Sequence, residues 1–201
     1  MWIKICGIRD LAAAGAAAEL AVDAVGFVFA ESPRRVSARW ARELGTLLPP
    51  GTLRVGVFRG ASQEEVRRTA ERAGLNAVQL HDPWEEAAVA KLREEGWRVI
   101  RALILAPGGA PPPVPEQADY LLADSRSPGS GQRADWTAAG RLAAGAVPLI
   151  LAGGLTPDNL GAALAAVAPF GVDVSSGVER GGRKDPELMR RFVAAARGRG
   201  Q

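Results

Sequence analysis

A closed (βα)8 barrel in a single domain is the fold this sequence predicts, and three observations predict it. Short apolar runs rich in Val, Ile and Leu alternate with longer Ala/Arg/Glu segments of helical period, the pattern of repeated βα units on a parallel sheet. The runs are near-continuous apolar stretches, as strands covered on both faces require. Residues able to do chemistry recur just past the ends of several different runs, where a barrel gathers them at one rim. An open doubly wound sheet is the alternative, and the lack of a Gly-x-Gly-x-x-Gly turn after any run disfavours it. Eight βα units in 201 residues sit at the small end of the barrel range.

In chain order, the first strand is Trp2–Ile5, and Asp10 supplies a cap for a helix over Leu11–Leu20. The second strand, Ala24–Phe29, is followed by Ser37, which opens a helical segment through Trp40–Leu48. After the third, Leu53–Phe58, Ser62 precedes Glu64 and Glu65 and an Ala/Arg helix. Ala77–Leu80 and Arg98–Leu103 are the fourth and fifth strands. Ala106–Pro115 contains three consecutive prolines and cannot be a helix interior, so the fifth crossover is degenerate. Tyr120–Ala123 is the sixth strand, with a short helix near Thr137–Gly145 behind it. Pro148–Leu151 and Gly171–Val174 complete the set, and Thr156-Pro157-Asp158 and Asp185-Pro186-Glu187 each pair a capping residue with Pro at the first helical position. No linker or low-complexity tract divides the chain, so residues 1–201 read as one catalytic domain.

Composition narrows the function classes. A single cysteine excludes an internal disulfide or a multi-thiolate metal site, and a single histidine excludes a His-rich cage, so no such metal site is expected; no cofactor is expected either. The net charge is only +3, from 25 basic against 22 acidic residues, and the arginines are interleaved with acids as on solvated helix faces. That pattern argues against a nucleic-acid partner. No cationic stretch followed by an apolar one opens the chain, and charge, Gly or Pro breaks every apolar run, which argues against secretion and membrane insertion and points to the cytoplasm. Sequence does not fix the oligomeric state; a homodimer is compatible with it.

The strand ends supply the candidate site. Gly153-Gly154 after strand seven and Ser175-Ser176-Gly177 after strand eight would let backbone N–H groups approach an anion, in the place where such barrels often cradle phosphate. Either pair alone would read as ordinary turn punctuation. Cys6, where strand one emerges beside Gly7, reads as a core hydrophobe or as a general base whose pKa nearby positive charge has lowered. Asp124 ends an apolar strand; it reads as a turn cap, or as a carboxyl group raised by partial burial to serve as a general acid. Arg34 and Arg35 follow a proline at the same mouth, and an arginine fork suits a carboxylate. His81 is a lone imidazole and is not assigned the proton transfer.

Lys4-Ile5-Cys6-Gly7-Ile8, Gly26-Phe27-Val28-Phe29 leading to Ser32-Pro33-Arg34, Val78-Gln79-Leu80-His81, Leu121-Leu122-Ala123-Asp124, Leu151-Ala152-Gly153-Gly154-Leu155 and Val172-Asp173-Val174-Ser175-Ser176-Gly177-Val178-Glu179 resemble phosphoribosylanthranilate isomerase nearly end to end. The resemblance implies a (βα)8 fold and an Amadori rearrangement of N-(5'-phosphoribosyl)anthranilate, a phosphosugar, to 1-(2-carboxyphenylamino)-1-deoxyribulose 5-phosphate in tryptophan biosynthesis. Carried over by position, Asp124 is the acid that protonates the furanose oxygen and Cys6 the base that removes the C2' proton. Arg34 holds the anthranilate carboxylate, Arg35 falls where members vary, and His81 and Asp173 line the substrate. Gly153, Gly154, Ser175, Ser176 and Gly177 receive the phosphate. Two departures stand out: Asp82 where the family has glycine, and an abbreviated loop at Pro128-Gly129-Ser130-Gly131. A histidine-pathway barrel isomerase would use two aspartates, which Cys6 argues against; a barrel that binds phosphometabolites without catalysis is the rival from another class.

Overall fold

The computed structural model of the chain describes residues 1–105, 112–125 and 133–198. Eight parallel strands, β1 (Trp2–Cys6), β2 (Ala24–Val28), β3 (Leu53–Phe58), β4 (Ala77–Leu80), β5 (Arg98–Ile104), β6 (Tyr120–Asp124), β7 (Leu149–Leu151) and β8 (Gly171–Val174), close in sequence order into a barrel. Closure comes from β1 pairing with β8, in a register that sets Lys4 beside Asp173. Each strand forms where its apolar run predicts it, within a residue or so at either end.

The helices are α1 (Leu11–Glu19), α2 (Ala38–Gly45), α3 (Gln63–Ala73), α4 (Glu86–Glu94), α5 (Trp136–Ala143), α6 (Leu160–Val167) and α7 (Pro186–Arg197). Their starts follow the expected chemistry. Asp10, Ser37, Asp135 and Asp185 each accept a backbone N–H in the first turn, and Ser62 with Glu65 forms a reciprocal capping box. Each such cap contributes about 1 kcal/mol. The regular turns of α6 begin at Leu160, and the expected cap lies one turn earlier: Thr156 Oγ1 accepts the Asn159 N–H at 3.2 Å, the Thr156 N–H donates to Asn159 Oδ1 at 2.9 Å and the Thr156 carbonyl accepts the Leu160 N–H at 3.1 Å, a reciprocal cap around Pro157. The fifth crossover has no helix over 112–119, as the prolines require; 106–111 and the Pro128–Gly131 loop lie outside the described residues. Among the described residues no helix is long and apolar enough to cross a membrane.

Strand alternation decides what the barrel encloses. In β1, Ile3 and Ile5 pack outward with Phe27, Leu44 and Phe192 in the core between sheet and helices, so Trp2, Lys4 and Cys6 point inward. The inner face is a separate apolar layer of Ala24, Val55, Ala77, Ile100, Leu122, Ile150 and Ala152, with Trp2 and Tyr120 packed against it. Trp2 stacks on Tyr120 with ring centroids 5.7 Å apart at the N-terminal end. Cys6 clusters with Val28 and Val57 towards the C-terminal end of the strands, where the chemistry-capable residues collect.

Candidate active site

Cys6, Arg34, His81, Asp124, Asp173 and Ser175, from strands or strand-following loops at one end of the barrel, line a single cleft of about 690 Å³ that opens to solvent. Val28, Val57, Gln79, Arg59 and Glu31 complete much of its wall. A smaller cleft of about 320 Å³ adjoins it, sharing Asp124, Asp173 and Ser175 and adding Gly153, Gly154 and Ser176. The structure therefore brings together the sequence-predicted residues except Gly177 and Arg35. That glycine lines neither cleft; a side chain there would run into the Leu155 carbonyl, so it allows the loops after β7 and β8 to touch. Arg35 borders a separate groove with Arg68 and Ser37.

Cys6 is buried at the end of β1 and corrects one expectation. Burial pushes its thiol above its ordinary pKa, and the opposing pull of Lys4 and Lys184 does not overcome it. Lys4 itself is fully buried one pleat below, with Nζ donating to Asp173 Oδ2 at 3.0 Å. Burial alone would neutralise that ammonium, but Asp173 and Cys6 raise its pKa and hold it charged. The other oxygen of Asp173, Oδ1, is buried without a partner among the described residues. Space for the sulfur exists because β2 carries glycine beside it: a Cβ on Gly26 would lie 2.6 Å from Cys6 Sγ and 3.1 Å from Cys6 Cα. Gly26→Ala is therefore expected to cost about 1–3 kcal/mol by overpacking and to displace the thiol. Denaturant unfolding, together with the alkylation rate of this sole cysteine, measures both effects.

Asp124 is 7% exposed, and its carboxyl is pushed up to about 6, first by burial and further by the nearby Asp173 charge; a hydrogen bond from the Ser125 N–H at 2.7 Å pulls the other way and loses. A carboxyl in that range can hold a proton near neutrality and give it up, as a general acid must. His81 is driven down to about 4 by burial and by the Lys4 and Arg59 charges, so its imidazole is neutral at pH 7. Gln79 Nε2 donates to its Nε2 at 2.7 Å. This fits a polar wall better than a proton shuttle. Asp82, the departure beside it, accepts the Gly60 N–H and ties the loops after β3 and β4 together.

At the other side of the cleft the Arg34 fork is already engaged. Its Nε and Nη2 donate to the two oxygens of Glu179, both at 2.7 Å, and Lys184 Nζ donates to Glu179 Oε1, also at 2.7 Å. The hydrogen bonds and charges of these two cations overcome burial and hold Glu179 down at about 2. At the anion end, Gly153 (φ 77°) and Gly154 (φ 64°) occupy the left-handed region in succession, a turn that β-carbon-bearing residues resist. The Ser175 hydroxyl donates to the Cys6 carbonyl at 3.1 Å, so that loop has its backbone amides and Ser176 to offer an anion. Among the described residues no group of three or more His, Cys, Asp or Glu is arranged to hold a metal ion.

Sequence reasoning missed Lys184, Gln79 and the partnership of Arg34 with Glu179. One signal for the first was present. The chain uses arginine for nearly all its positive charge and keeps lysine at only three places, two of which, Lys4 and Lys184, are buried at this site. A compact ammonium fits where a guanidinium fork does not.

The model of the family described as N-(5'-phosphoribosyl)anthranilate (PRA) isomerase matches residues 3–195. The isomerase of that name from Rubrobacter xylanophilus is 43% identical over 203 residues, covering 97% of this chain and 98% of its own. The solved phosphoribosyl anthranilate isomerase from Thermus thermophilus superposes with a TM-score of 0.88 at 38% identity, over 98% of this chain and 99% of that one. A second solved isomerase, in complex with reduced 1-(o-carboxyphenylamino)-1-deoxyribulose 5-phosphate, gives a TM-score of 0.82 at 34% identity over the same shares.

Proposed function

Because the chain belongs to the N-(5'-phosphoribosyl)anthranilate isomerase family, we propose that it converts N-(5'-phosphoribosyl)anthranilate to 1-(2-carboxyphenylamino)-1-deoxyribulose 5-phosphate, with Asp124 as general acid and Cys6 as general base. The observation that carries this is the shared cleft: a carboxyl raised to about 6 and the sole thiol line one cavity. Asp124 gives its proton to the furanose ring oxygen, the C1'–O bond breaks, and the anilino nitrogen's lone pair forms the Schiff base. The Cys6 thiolate then takes the C2' proton, and the electron pair of that C–H bond moves towards the iminium to give the enolamine, which tautomerises to the ketone. One proton enters and one leaves, so acid, base and two anion anchors suffice. Gly153, Gly154, Ser175 and Ser176 hold the phosphate, and the buried Asp173 Oδ1, unpartnered among the described residues, accepts from a ribose hydroxyl.

Arg34 holds the anthranilate carboxylate. Arg34→Ala is expected to raise KM by about 10–100-fold, the loss of a charge-assisted hydrogen-bond pair, with kcat changed far less. The activity itself is tested by following the loss of the ribosylanthranilate's fluorescence, and in cells by complementing a tryptophan auxotroph that lacks this step. No turnover by folded protein would sink the reading and leave a barrel that binds phosphometabolites without transforming them.

A further inference from the structure

Past β8 the chain makes a short 3₁₀ turn, Ser176–Val178, and then a two-stranded hairpin, β9 (Glu179–Arg180) and β10 (Arg183–Lys184), before α7 begins. The hairpin lies outside the βα repeat and closes through Gly181 and Gly182, both at positive φ. Nothing in the proposed chemistry uses it, yet it brings two charged side chains against Arg34 and Ser175, which line the cleft.

We propose that Glu179 and Lys184 are positioning residues for substrate recognition: held between two cations, the Glu179 carboxylate aims the Arg34 fork at the aromatic carboxylate of the substrate. The proposal rests on the reading of Arg34 as the carboxylate anchor and adds how that anchor is aimed. Arginine has five N–H donors in a rigid plane. The pair with Glu179 uses Nε–H and one Nη2–H. It fixes the plane of the guanidinium and leaves the outer fork, Nη1 and the second Nη2 proton, for another carboxylate. Glu179 cannot swing freely, because Lys184 Nζ grips it at 2.7 Å with a side chain only 1% exposed.

The same ammonium donates to the Ser175 carbonyl at 3.0 Å and to its hydroxyl at 3.3 Å. One polar chain therefore runs from Arg34 through Glu179 and Lys184 to the loop at the anion end. A second fastening lies outside it: Arg9 donates to Pro33 O at 2.6 Å and to Gly182 O at 2.8 Å, tying the Arg34 loop to the hairpin tip. The charges also fit, since within this triad two cations face one carboxylate and an incoming carboxylate balances the set.

The alternative is that Glu179 competes with the substrate for Arg34. Displacement would leave a buried carboxylate with one cation instead of two, which the low-dielectric setting penalises. The two readings predict opposite signs. Under the positioning role, Glu179→Gln raises KM for N-(5'-phosphoribosyl)anthranilate by about tenfold or more and leaves kcat within about threefold. The inhibition constant of inorganic phosphate stays within about twofold of wild type, because the anion loops remain.

In an Arg34→Ala background the same Glu179→Gln change adds nothing further to KM, since Glu179 acts through Arg34. A KM that is unchanged or lower in the single variant overturns the proposal, and so does an effect that adds in full to Arg34→Ala. Should Glu179→Gln fail to fold by circular dichroism, the exposed fastening decides. Arg9→Ala is expected to raise KM by about two- to fivefold without moving Tm, and an unchanged KM there also overturns the proposal. Failure of the underlying reading looks different: Arg34→Ala itself would leave KM unaltered, or the wild-type protein would not consume the substrate.

Discussion

Asp124→Asn is expected to lower kcat by roughly 10²–10⁴-fold, the range for losing a general acid, and at the same time to stabilise the protein at neutral pH. The stability half follows from linkage. The folded carboxyl sits at about 6, above its ordinary value near 3.8, so between those two pH values the folded state binds more protons than the unfolded state. Stability therefore falls as pH rises through that window, and at pH 7 the full penalty applies, about 2–3 kcal/mol at 1.36 kcal/mol per pKa unit. Asparagine never ionises, and its amide oxygen can still accept the Ser125 N–H, so the penalty disappears. Tm should rise by roughly 5–10 °C at pH 7 and by little at pH 4. A variant that is inactive but no more stable would mean that Asp124 is not held in a desolvated state.

The second large effect concerns the thiol. Cys6→Ser should also cost roughly 10²–10⁴-fold in kcat with a modest change in KM, because a hydroxyl is a far poorer source of the conjugate base. The reactive form needs the carboxyl protonated and the thiol ionised, although the carboxyl has the lower pKa of the two. Below pH 6 the acid is already loaded and further acidification only removes thiolate, so kcat/KM should rise about tenfold per pH unit up to about 6. It should then stay level while the two ionisations offset each other, and fall only above the ordinary thiol range. The substrate's own phosphate titrates near pH 6 as well. The residual activity of Asp124→Asn separates the two: a break at pH 6 that comes from Asp124 disappears there and the rise continues up to the thiol's own range, whereas a break that comes from the phosphate remains. Near-full activity in Cys6→Ser would make the thiol a packing residue.

The scaffold was legible in the sequence because a parallel barrel writes its strands as isolated apolar runs and its helix starts as capping residues. Asp10, Ser37, Ser62 and Asp185 cap where they were expected to. Most of the lining of the cleft, Gly177 and Arg35 apart, was legible too, since a strand end in a barrel points to one rim regardless of tertiary detail. What could not be read was pairing between strands distant in sequence. Lys4 and Asp173 are 169 residues apart and become neighbours only when the barrel closes in a particular register. Without that register the thiol's environment was misjudged: a lysine on its own strand suggested a lowered pKa, whereas burial dominates. Arg34 shows the same limit, because its fork is met by Glu179 from a hairpin too short to carry a periodic signal.

The aromatic stack of Trp2 and Tyr120, with the apolar layer above it, fills the N-terminal end of the barrel, so among the described residues the cleft at the other end is the way in. Reactant and product must share that doorway, so the next molecule cannot enter until the last has left. Each turnover then includes an interval of emptiness, and a product held as firmly at both anionic ends as the reactant would itself set the pace of the cycle.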